Sequence, residues 1–276
     1  DLGALTGSLS EDANWVFIVN QDGTSSILNT LRSQDINGFT KWINGDTNSA
    51  YPLNTVSVSV VNNDLFLVNK RTTDTTTTYT VEKWDFDYLM DSSVRLETSL
   101  SIVGNNLYLA SSHLDGETVS VVARGTPLDN RVVQTDPASG YIILTDAEKS
   151  FILEQDPSTG VIDVEVGYNF IPAIKSMPLN TAAPAGQNQM RQKKVTRTNL
   201  RVYKSSGVYI DNNPVPIRQF GEAVDSPLDE NLPEQTGVIQ GANSGNGWNI
   251  EVRPLITVPK PTPFHIQAIE YEVESS

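Results

Sequence analysis

The chain offers few side chains whose type and spacing suit catalysis. It contains two histidines, His113 and His265, and no cysteine. No H-x-x-x-H or H-E-x-x-H spacing occurs, so a histidine metal centre would need ligands from distant parts of the chain. The absence of cysteine excludes disulfides, thiolate metal sites and cysteine nucleophiles. His265 shares one face of an alternating strand pattern with Gln267, which indicates a structural or solvated side chain.

Two acidic residues at strand spacing are the other candidates for acid–base chemistry. Asp85 and Asp87 flank Phe86, so on a strand both carboxyl groups would point to one side, as the paired acids of glycosidases do. We favour the alternative, in which they are carboxylates at the end of a strand. The glycine-containing stretch 241–247 matches neither a G-x-S-x-G nucleophile turn nor a dinucleotide-binding loop. The sequence therefore predicts no enzyme, no catalytic residue, no cofactor and no metal site.

Two turn segments, 136–140 and 156–160, share an Asp-Pro start and a glycine end. Proline fixes the first central φ angle, aspartate accepts the following backbone N–H groups, and glycine takes the left-handed exit. Each segment supplies too few oxygen ligands for calcium. We therefore predict hairpin turns.

Charge is unevenly distributed along the chain. The net charge is −14 at pH 7, which argues against a general nucleic-acid binder, whose surface is basic. Residues 191–204 contain basic but no acidic side chains, and residues 222–234 contain acidic but no basic ones. The basic side chains form a candidate interface, made of Arg191, Lys193, Lys194, Arg197, Arg201 and Lys204.

This basic stretch overlaps a strand pattern over 195–203. Period-two alternation predicts Arg197, Arg201 and Tyr203 on one face, together with Val195 and Asn199. The face is either simply solvated, or its arginines meet carboxylates of the acidic segment or of a neighbouring subunit. Nucleic-acid binding is a weaker third interpretation, because Tyr203 alone interleaves an aromatic ring.

The elements that must position these residues are predicted to be strands. Six short patterns, 15–19, 26–31, 39–43, 56–60, 65–68 and 79–84, are separated by turn residues. Asp-Gly at 22–23 and Asn-Asn-Asp at 62–64 supply the positive φ angles that tight hairpins need. We predict an all-β protein with less than about a tenth of its residues in helix, beginning with an antiparallel meander or propeller-like sheets.

Three units and a connection are expected. Residues 1–92 form the meander, and 93–180 form a small β-barrel-like module with strands near 100–103, 107–110, 118–123, 131–134, 141–145, 150–154 and 161–166. Residues 181–192 are small and polar, which indicates a linker or mobile loop. A C-terminal, sandwich-like β domain then covers 193–276, with strands near 195–203, 207–211, 215–220, 248–252 and 264–273 and an acidic, Pro-rich excursion over 222–247.

The collinear order of several segments resembles a known family. They read "QDGTSSILNTLRSQDINGFTKW" at 21–42, "DLFLVNKR" at 64–71, "YTVEKWD" at 79–85, "LDGETVSVVARG" at 114–125, "VGYNFIPAIKSMPLN" at 166–180, "KKVTRTNLRVYKSSGVYI" at 193–210 and "PFHIQAIEYEVE" at 263–274. This order resembles the tail tubular protein B family, the nozzle (stabilisation) proteins of short-tailed bacteriophages. The resemblance covers roughly residues 10–275 except the acidic segment. It departs from the family in an absent amino-terminal half and at 36–38.

The resemblance implies a structural protein of the virion, located in the phage tail. It implies a homo-oligomeric ring of six subunits that contacts the tail adaptor and fibre or spike proteins. DNA would pass transiently without tight binding, so we expect an acidic face along the channel and the basic strand turned away from it. It also implies that the chain, which starts at Asp1, is a piece of a longer protein or a processed one.

The second function class is a carbohydrate-binding or adhesin-like β protein. Its candidate platforms are the four tryptophans, whose rings could stack on sugars. Trp15 and Trp84 lie in apolar patterns that favour burial. Trp248, within Gly-Asn-Gly-Trp-Asn, is expected to be the most exposed and is the candidate sugar-stacking residue. No run of 18 or more apolar residues occurs, so no membrane-spanning helix is predicted.

Overall fold

The computed structural model describes an almost wholly β protein. It covers residues 1–6, 14–31, 35–45, 53–72, 76–136, 139–154, 160–179, 182–183, 186–187, 191–215, 234–241 and 247–275. Strands hold 58% of the described residues and helices 5%, which confirms the all-β prediction and its limit on helix content. The strands of the described ranges pair antiparallel and form several sheets, none of which closes into a barrel.

The first part of the chain forms two meander sheets. Its strands are β1 (Leu2–Leu5), β2 (Asn14–Val19), β3 (Ser25–Leu31), β4 (Ile36–Trp42), β5 (Leu53–Val61), β6 (Asp64–Thr72) and β7 (Thr77–Lys83). The sheet orders are β1-β2-β3-β4 and β5-β6-β7, in chain order. The six strands predicted here are confirmed, and β1 is an additional strand that pairs with β2.

Local turn chemistry produces this meander. Gly23 has a φ of 82°, and the Asp22 carboxylate accepts hydrogen bonds from the backbone N–H of Thr24 at 3.0 Å and from its hydroxyl at 2.6 Å. Asn62 and Asn63 have φ angles of 52° and 66° between β5 and β6. Two consecutive positive φ angles match the twist of a two-residue hairpin.

The two meander sheets share one core. Their alternating strands each direct one face inward, where large apolar side chains meet across the sheets. The buried members of this cluster are Leu5, Phe17, Ile27, Val58, Leu65 and Leu67. Three tryptophans pack against the cluster while remaining only partly buried, namely Trp15, Trp42 and Trp84.

A second unit follows and has its own core. Its elements are β8 (Asp91–Thr98), a 3-10 turn (Ser99–Ser101), β9 (Ile102–Val103), β10 (Asn106–Tyr108), β11 (Thr118–Ala123), β12 (Thr126–Pro127), β13 (Arg131–Val132), β14 (Tyr141–Ile143), α1 (Asp146–Leu153) and β15 (Val161–Tyr168). The sheets are β12-β11-β15-β8, with β13 also on β11, and β14-β10-β9. The sequence suggested a barrel-like module, but the described residues form open sheets because the outer strands β8 and β12 do not pair with each other.

The strand predicted near 150–154 is wrong, because helix α1 occupies it. Thr145 is the N-cap and accepts a hydrogen bond from the Glu148 N–H at 3.2 Å, while the Glu148 carboxylate accepts one from the Thr145 N–H at 2.7 Å. This reciprocal capping box favours a helix start. Phe151 and Ile152 then point into the core of the second unit, which fixes the helix by burial.

Arg71 of β6 joins the first unit to the second. Its Nη2 lies 3.4 Å from Glu117 Oε2, its Nη1 donates to the His113 carbonyl at 3.3 Å, and its guanidinium lies 5.0 Å from the ring centroid of Tyr168. Burial lowers the pKa of Arg71, against the opposing charges of Glu117 and Glu82. The contact therefore holds a buried cation between the two units.

The last part of the chain contains a long central strand. Its strands are β16 (Ala173–Lys175), β17 (Ala182–Ala183), β18 (Gly186–Gln187), β19 (Lys193–Ser205), β20 (Tyr209–Ile210), β21 (Asn213–Pro214), β22 (Gln235–Gln240), β23 (Leu255–Thr257) and β24 (Ile266–Ser275). The sheets are β22-β19-β24, β16-β23-β20-β21 and the hairpin β17-β18. The first two of these sheets share a core, which is built around Leu200, Val202, Ile210, Ile239 and Ile256.

Two predictions for this part need correction, and two strands were not predicted. No strand forms at 248–252, where a single bridge joins Lys193 to Asn249. Strands β22 and β23 were not predicted, and β22 falls inside the range taken as an acidic excursion. Its inward residue Ile239 pairs with Leu200 of β19, so burial in this core orders a stretch whose composition suggested a loop. The strand predicted at 215–220 and most of the acidic segment lie outside the described residues.

Candidate binding cleft

A cleft lined by aromatic rings runs along the inner face of the first sheet. Trp15 of β2, Trp42 at the end of β4 and Trp84 after β7 line it, together with Phe86 and Phe170. The volume of the cleft is about 810 Å³, which lies in the range of small-molecule sites. Alternation along β2 and register across the sheet place Trp15 and Trp42 on one face of the first sheet.

The five rings form a continuous row. Consecutive centroids are 5.7 Å apart for Trp15 and Phe86, 5.9 Å for Phe86 and Trp84, 4.5 Å for Trp84 and Trp42, and 5.2 Å for Trp42 and Phe170. The interplanar angles of these pairs run from 50° to 76°. Tilted and edge contacts of this kind are favourable aromatic pairs, and all five residues line the cleft.

A buried polar network fixes the Trp42 ring. Its indole Nε1 donates to Asn44 Oδ1. Asn44 Nδ2 donates to Thr55 Oγ1 at 2.6 Å and to Asn69 Oδ1 at 2.9 Å, and Thr55 Oγ1 donates to the same oxygen at 3.1 Å. These three polar side chains are buried, so the network holds one rotamer of Trp42 in place.

Trp84 carries a polar group that the described structure leaves unsatisfied. Its indole Nε1 is buried and has no hydrogen-bond partner among the described residues. Its backbone N–H donates to the Leu65 carbonyl at 2.8 Å, and its ring meets Phe17 edge-on at 5.0 Å. A buried donor without an acceptor is costly and uncommon. The indole N–H is therefore enclosed by protein atoms and is not exposed to the cleft.

Carboxylates occupy another part of the lining. Asp91 Oδ2 accepts from the Gly45 N–H at 2.9 Å, and Glu82 Oε1 accepts from Thr80 Oγ1 at 2.7 Å and Ser92 Oγ at 2.8 Å. Burial first and the charge of Glu82 second raise the pKa of Asp91 to about 7, although the hydrogen bond from Gly45 lowers it. Hydrogen bonds account for one oxygen of each carboxyl group among the described residues.

A histidine and a serine complete the polar side. His113 Nε2 lies 2.8 Å from the Ser92 carbonyl, so it donates, and Nδ1 accepts from Ser111 Oγ at 2.6 Å. Both nitrogen atoms of the ring are therefore engaged in local hydrogen bonds. This geometry explains His113 as a structural residue that connects the loop before β11 to β8.

The loop that carries Trp84 and Phe86 is anchored from the second unit. Glu165 of β15 accepts from the backbone N–H groups of Leu89 at 2.9 Å and Met90 at 3.0 Å. Burial raises the pKa of Glu165, although these hydrogen bonds oppose the shift. The rigid sheet of the second unit thus positions one wall of the cleft.

The paired acids Asp85 and Asp87 do not form a catalytic pair in the structure. The Asp87 N–H donates to Asp85 Oδ1 at 3.0 Å, which closes a local turn rather than directing both carboxyl groups at one point. Asp85 lines the cleft. His265, the other predicted candidate, packs against Tyr203 with a T-shaped ring contact at 5.9 Å and lies in another part of the fold.

The candidate interface lies mostly on the outer face of the β22-β19-β24 sheet. Arg197 and Arg201 are exposed and Leu200 and Val202 are buried, as the alternation predicted. Arg191 and Lys204 are also exposed, and Lys194 is half-buried. Glu272 of β24 lies 3.7 Å from Arg197 across the sheet. Arg197 therefore has an acidic partner within its own chain.

Lys193 is the exception and is not available at a surface. Its exposed fraction is 1%. A register shift between Val195 and Arg197 interrupts the pairing of β19 with β24, and such a bulge changes which residues share a face. The shift also turns Val195 inward, where the sequence pattern had placed it beside Arg197. Strict alternation could not reveal a bulge.

Trp248 is the most exposed tryptophan, with an exposed fraction of 46%, as expected. It lines a separate hollow with Lys175, Glu251 and Arg253, and no second aromatic ring lines that hollow. Its role as a sugar-stacking residue stays a prediction. The row along the first sheet was missed, although the alternating Trp-x-Phe-x-Val of β2 was a signal for it.

No protein-family model matches this chain, and a search of curated proteins also found no match. Within the described ranges, no three or more histidine or acidic side chains cluster in a way that could hold a metal ion. In the same ranges, no helix is long and apolar enough to cross a membrane.

Proposed function

We propose that this chain is a structural, non-catalytic component of a short bacteriophage tail, part of the tubular nozzle through which DNA passes. The observation that carries the proposal is the collinear order of the family-like segments along the sequence. Segment 21–42 contains β3 and β4, segment 64–71 falls within β6, and segment 193–210 contains β19. A shared order of such segments is a more specific signal than any one of them.

The proposal includes a ring of six subunits in the virion, in contact with the tail adaptor and with fibre or spike proteins. The outer face of the β22-β19-β24 sheet supports an assembly role. Its basic row on β19 runs beside an acidic row on β24, and the register places Lys194 opposite Glu274 and Arg197 opposite Glu272. Adjacent rows of opposite charge can meet a partner with complementary charges.

The same charge pattern disfavours a grip on DNA. Phosphate binding needs several cations that touch successive phosphates and release counterions. Here Glu270, Glu272 and Glu274 are exposed on the strand next to the arginines. Their negative charge lowers the potential that a phosphate would meet, which fits a protein that lets DNA pass.

Light scattering tests the assembly. The protein encoded by the complete reading frame should have the mass of a ring in light scattering and should associate with the tail adaptor protein of the same phage. Arg201→Glu, at an exposed position with no ion pair among the described residues, should weaken that association. Lys41→Glu, an equally drastic charge reversal on β4 beside Asp22, is the matched control and should not. A protein that stays monomeric and ignores the adaptor would refute the proposal.

A carbohydrate-binding or adhesin-like role is the second candidate function. The specific observation in its favour is that Trp15, Trp42 and Trp84 share one open cleft. Tryptophans that only fill a core would not leave a cleft of this size between them. The two functions are compatible, because a tail component can also contact sugars.

A further inference from the structure

We infer that the aromatic cleft of the first sheet binds a neutral saccharide, with Trp84 and Phe86 as stacking platforms and the Glu82 and Asp91 carboxyl groups as hydrogen-bond acceptors. This inference deepens the second candidate function and does not depend on a place in a phage tail. Three properties of the cleft carry it: the row of rings, the acceptors and the balance of charge.

The row of rings provides the platform. Phe86 has an exposed fraction of 63% and Val81, on the cleft lining, one of 74%. Large apolar side chains that stay exposed next to partly buried tryptophans mark a binding surface. The apolar C–H face of a pyranose packs on an aromatic ring, and the cleft of about 810 Å³ has room for more than one pyranose.

The polar groups of the lining are hydrogen-bond acceptors. The second oxygens of Glu82 and Asp91 have no partner among the described residues, and they can accept hydrogen bonds from sugar hydroxyl groups. A ligand rich in hydroxyl donors therefore satisfies acceptors that the protein leaves open.

The charge of the lining selects a neutral ligand over an anionic one. Glu82, Asp85 and Asp91 line the cleft, and Lys83 is the one lysine or arginine among the lining residues. The Lys83 ammonium group already pairs with Asp64 at 2.9 Å. A phosphate, sulfate or sialic acid would meet carboxylates without a cation to offset them.

An organic cation is the competing ligand, because aromatic rings and carboxylates together also attract quaternary ammonium groups. Such a group has no hydroxyl donor for the open carboxyl oxygens of Glu82 and Asp91. It would also fill a small part of the 810 Å³ cleft. The saccharide accounts for the open acceptors and for the size of the cleft, and the cation accounts for neither.

The first test is a printed array of neutral and acidic glycans. Each glycan that binds is then titrated against the protein with tryptophan fluorescence as the readout. Choline chloride, titrated in the same way, is the cation probe. We expect binding to neutral glycans and none to choline. Phe86→Ala should weaken binding about tenfold, as loss of one stacking contact does. Trp84→Phe replaces one platform of the cleft by a smaller ring, and it should weaken binding less than Phe86→Ala does.

Phe39→Ala is the matched control, because this phenylalanine is exposed and lies outside the cleft; its affinity should stay within about twofold of the wild type. Trp248→Ala removes the alternative stacking residue. Circular dichroism and the melting temperature check that each variant folds, and the exposed Phe86 keeps the test valid if Trp84→Phe does not. An array without neutral hits, binding to choline alone, or binding lost in Trp248→Ala and kept in Phe86→Ala would each overturn the inference. Ring assembly is measured separately by light scattering, so either idea can fail alone.

Discussion

Replacing Asp91 by asparagine tests the electrostatics of the cleft most directly. Burial raises the pKa of Asp91 from 3.8 to about 7. The folded protein therefore favours the neutral carboxyl group, and ionisation costs stability. An asparagine side chain at this position would keep the acceptor for the Gly45 N–H and carry no charge, so the variant removes this cost while preserving the hydrogen bond.

The sign and size follow from linkage. The contribution of neutral Asp91 is fully present below pH 4, is lost as the pH rises toward 7, and stays lost above the folded pKa. The shift of roughly 3 pKa units corresponds to about 4 kcal/mol as an upper limit. Because Asp91 keeps part of its surface in water, we expect Asp91→Asn to be more stable than the wild type by about 2–4 kcal/mol at pH 8.

Urea unfolding followed by tryptophan fluorescence, from pH 4 to pH 9, measures this difference. The difference in the free energy of unfolding between variant and wild type should increase between pH 4 and pH 7 and then remain constant. The charge of Glu82 contributes to the raised pKa of Asp91, so its repulsion is part of the difference that the assay measures. Asp87→Asn makes the same change at an exposed position and should show no such gap. A difference that stays flat across this range would refute the reasoning.

Three further outcomes are expected. Thr145→Ala should destabilise the protein by about 1 kcal/mol, because it removes the N-cap of α1, and Thr145→Ser, which keeps the hydroxyl, should restore most of the loss in the same urea assay. Arg71→Ala should lower the free energy of unfolding by about 3 kcal/mol, since it leaves the Glu117 carboxylate without its partner between two units. In calorimetry, Arg71→Met should lower it less, because methionine keeps much of the packing of the side chain. Duplex DNA should not bind measurably near physiological salt in fluorescence anisotropy, and Arg197→Glu with Arg201→Glu should leave that result unchanged; micromolar affinity abolished by those two changes would show that the basic strand faces DNA.

Local sequence determined the strands and turns of the first unit. Alternation of apolar and polar residues, together with Asp22-Gly23 and Asn62-Asn63, acts over a few residues, and the structure forms these strands and hairpins. The capping box at Thr145 and Glu148 was equally local, but an apolar run of this length fits a strand or a buried helix. Charge and composition also indicated an exposed face for Arg197 and Arg201, which the structure bears out.

Tertiary structure alone decided the features of the cleft and of β19. Trp15, Trp42, Trp84 and Phe170 are far apart in sequence, and their row exists because two sheets and a loop anchored by Glu165 meet at one place. The raised pKa of Asp91 depends on what packs around its carboxyl group. The burial of Lys193 depends on a bulge against β24. Alternation and turn chemistry are set by neighbours in the sequence. Burial, register shifts and the walls of a pocket depend on which distant segments come into contact, because packing is a property of the folded chain as a whole.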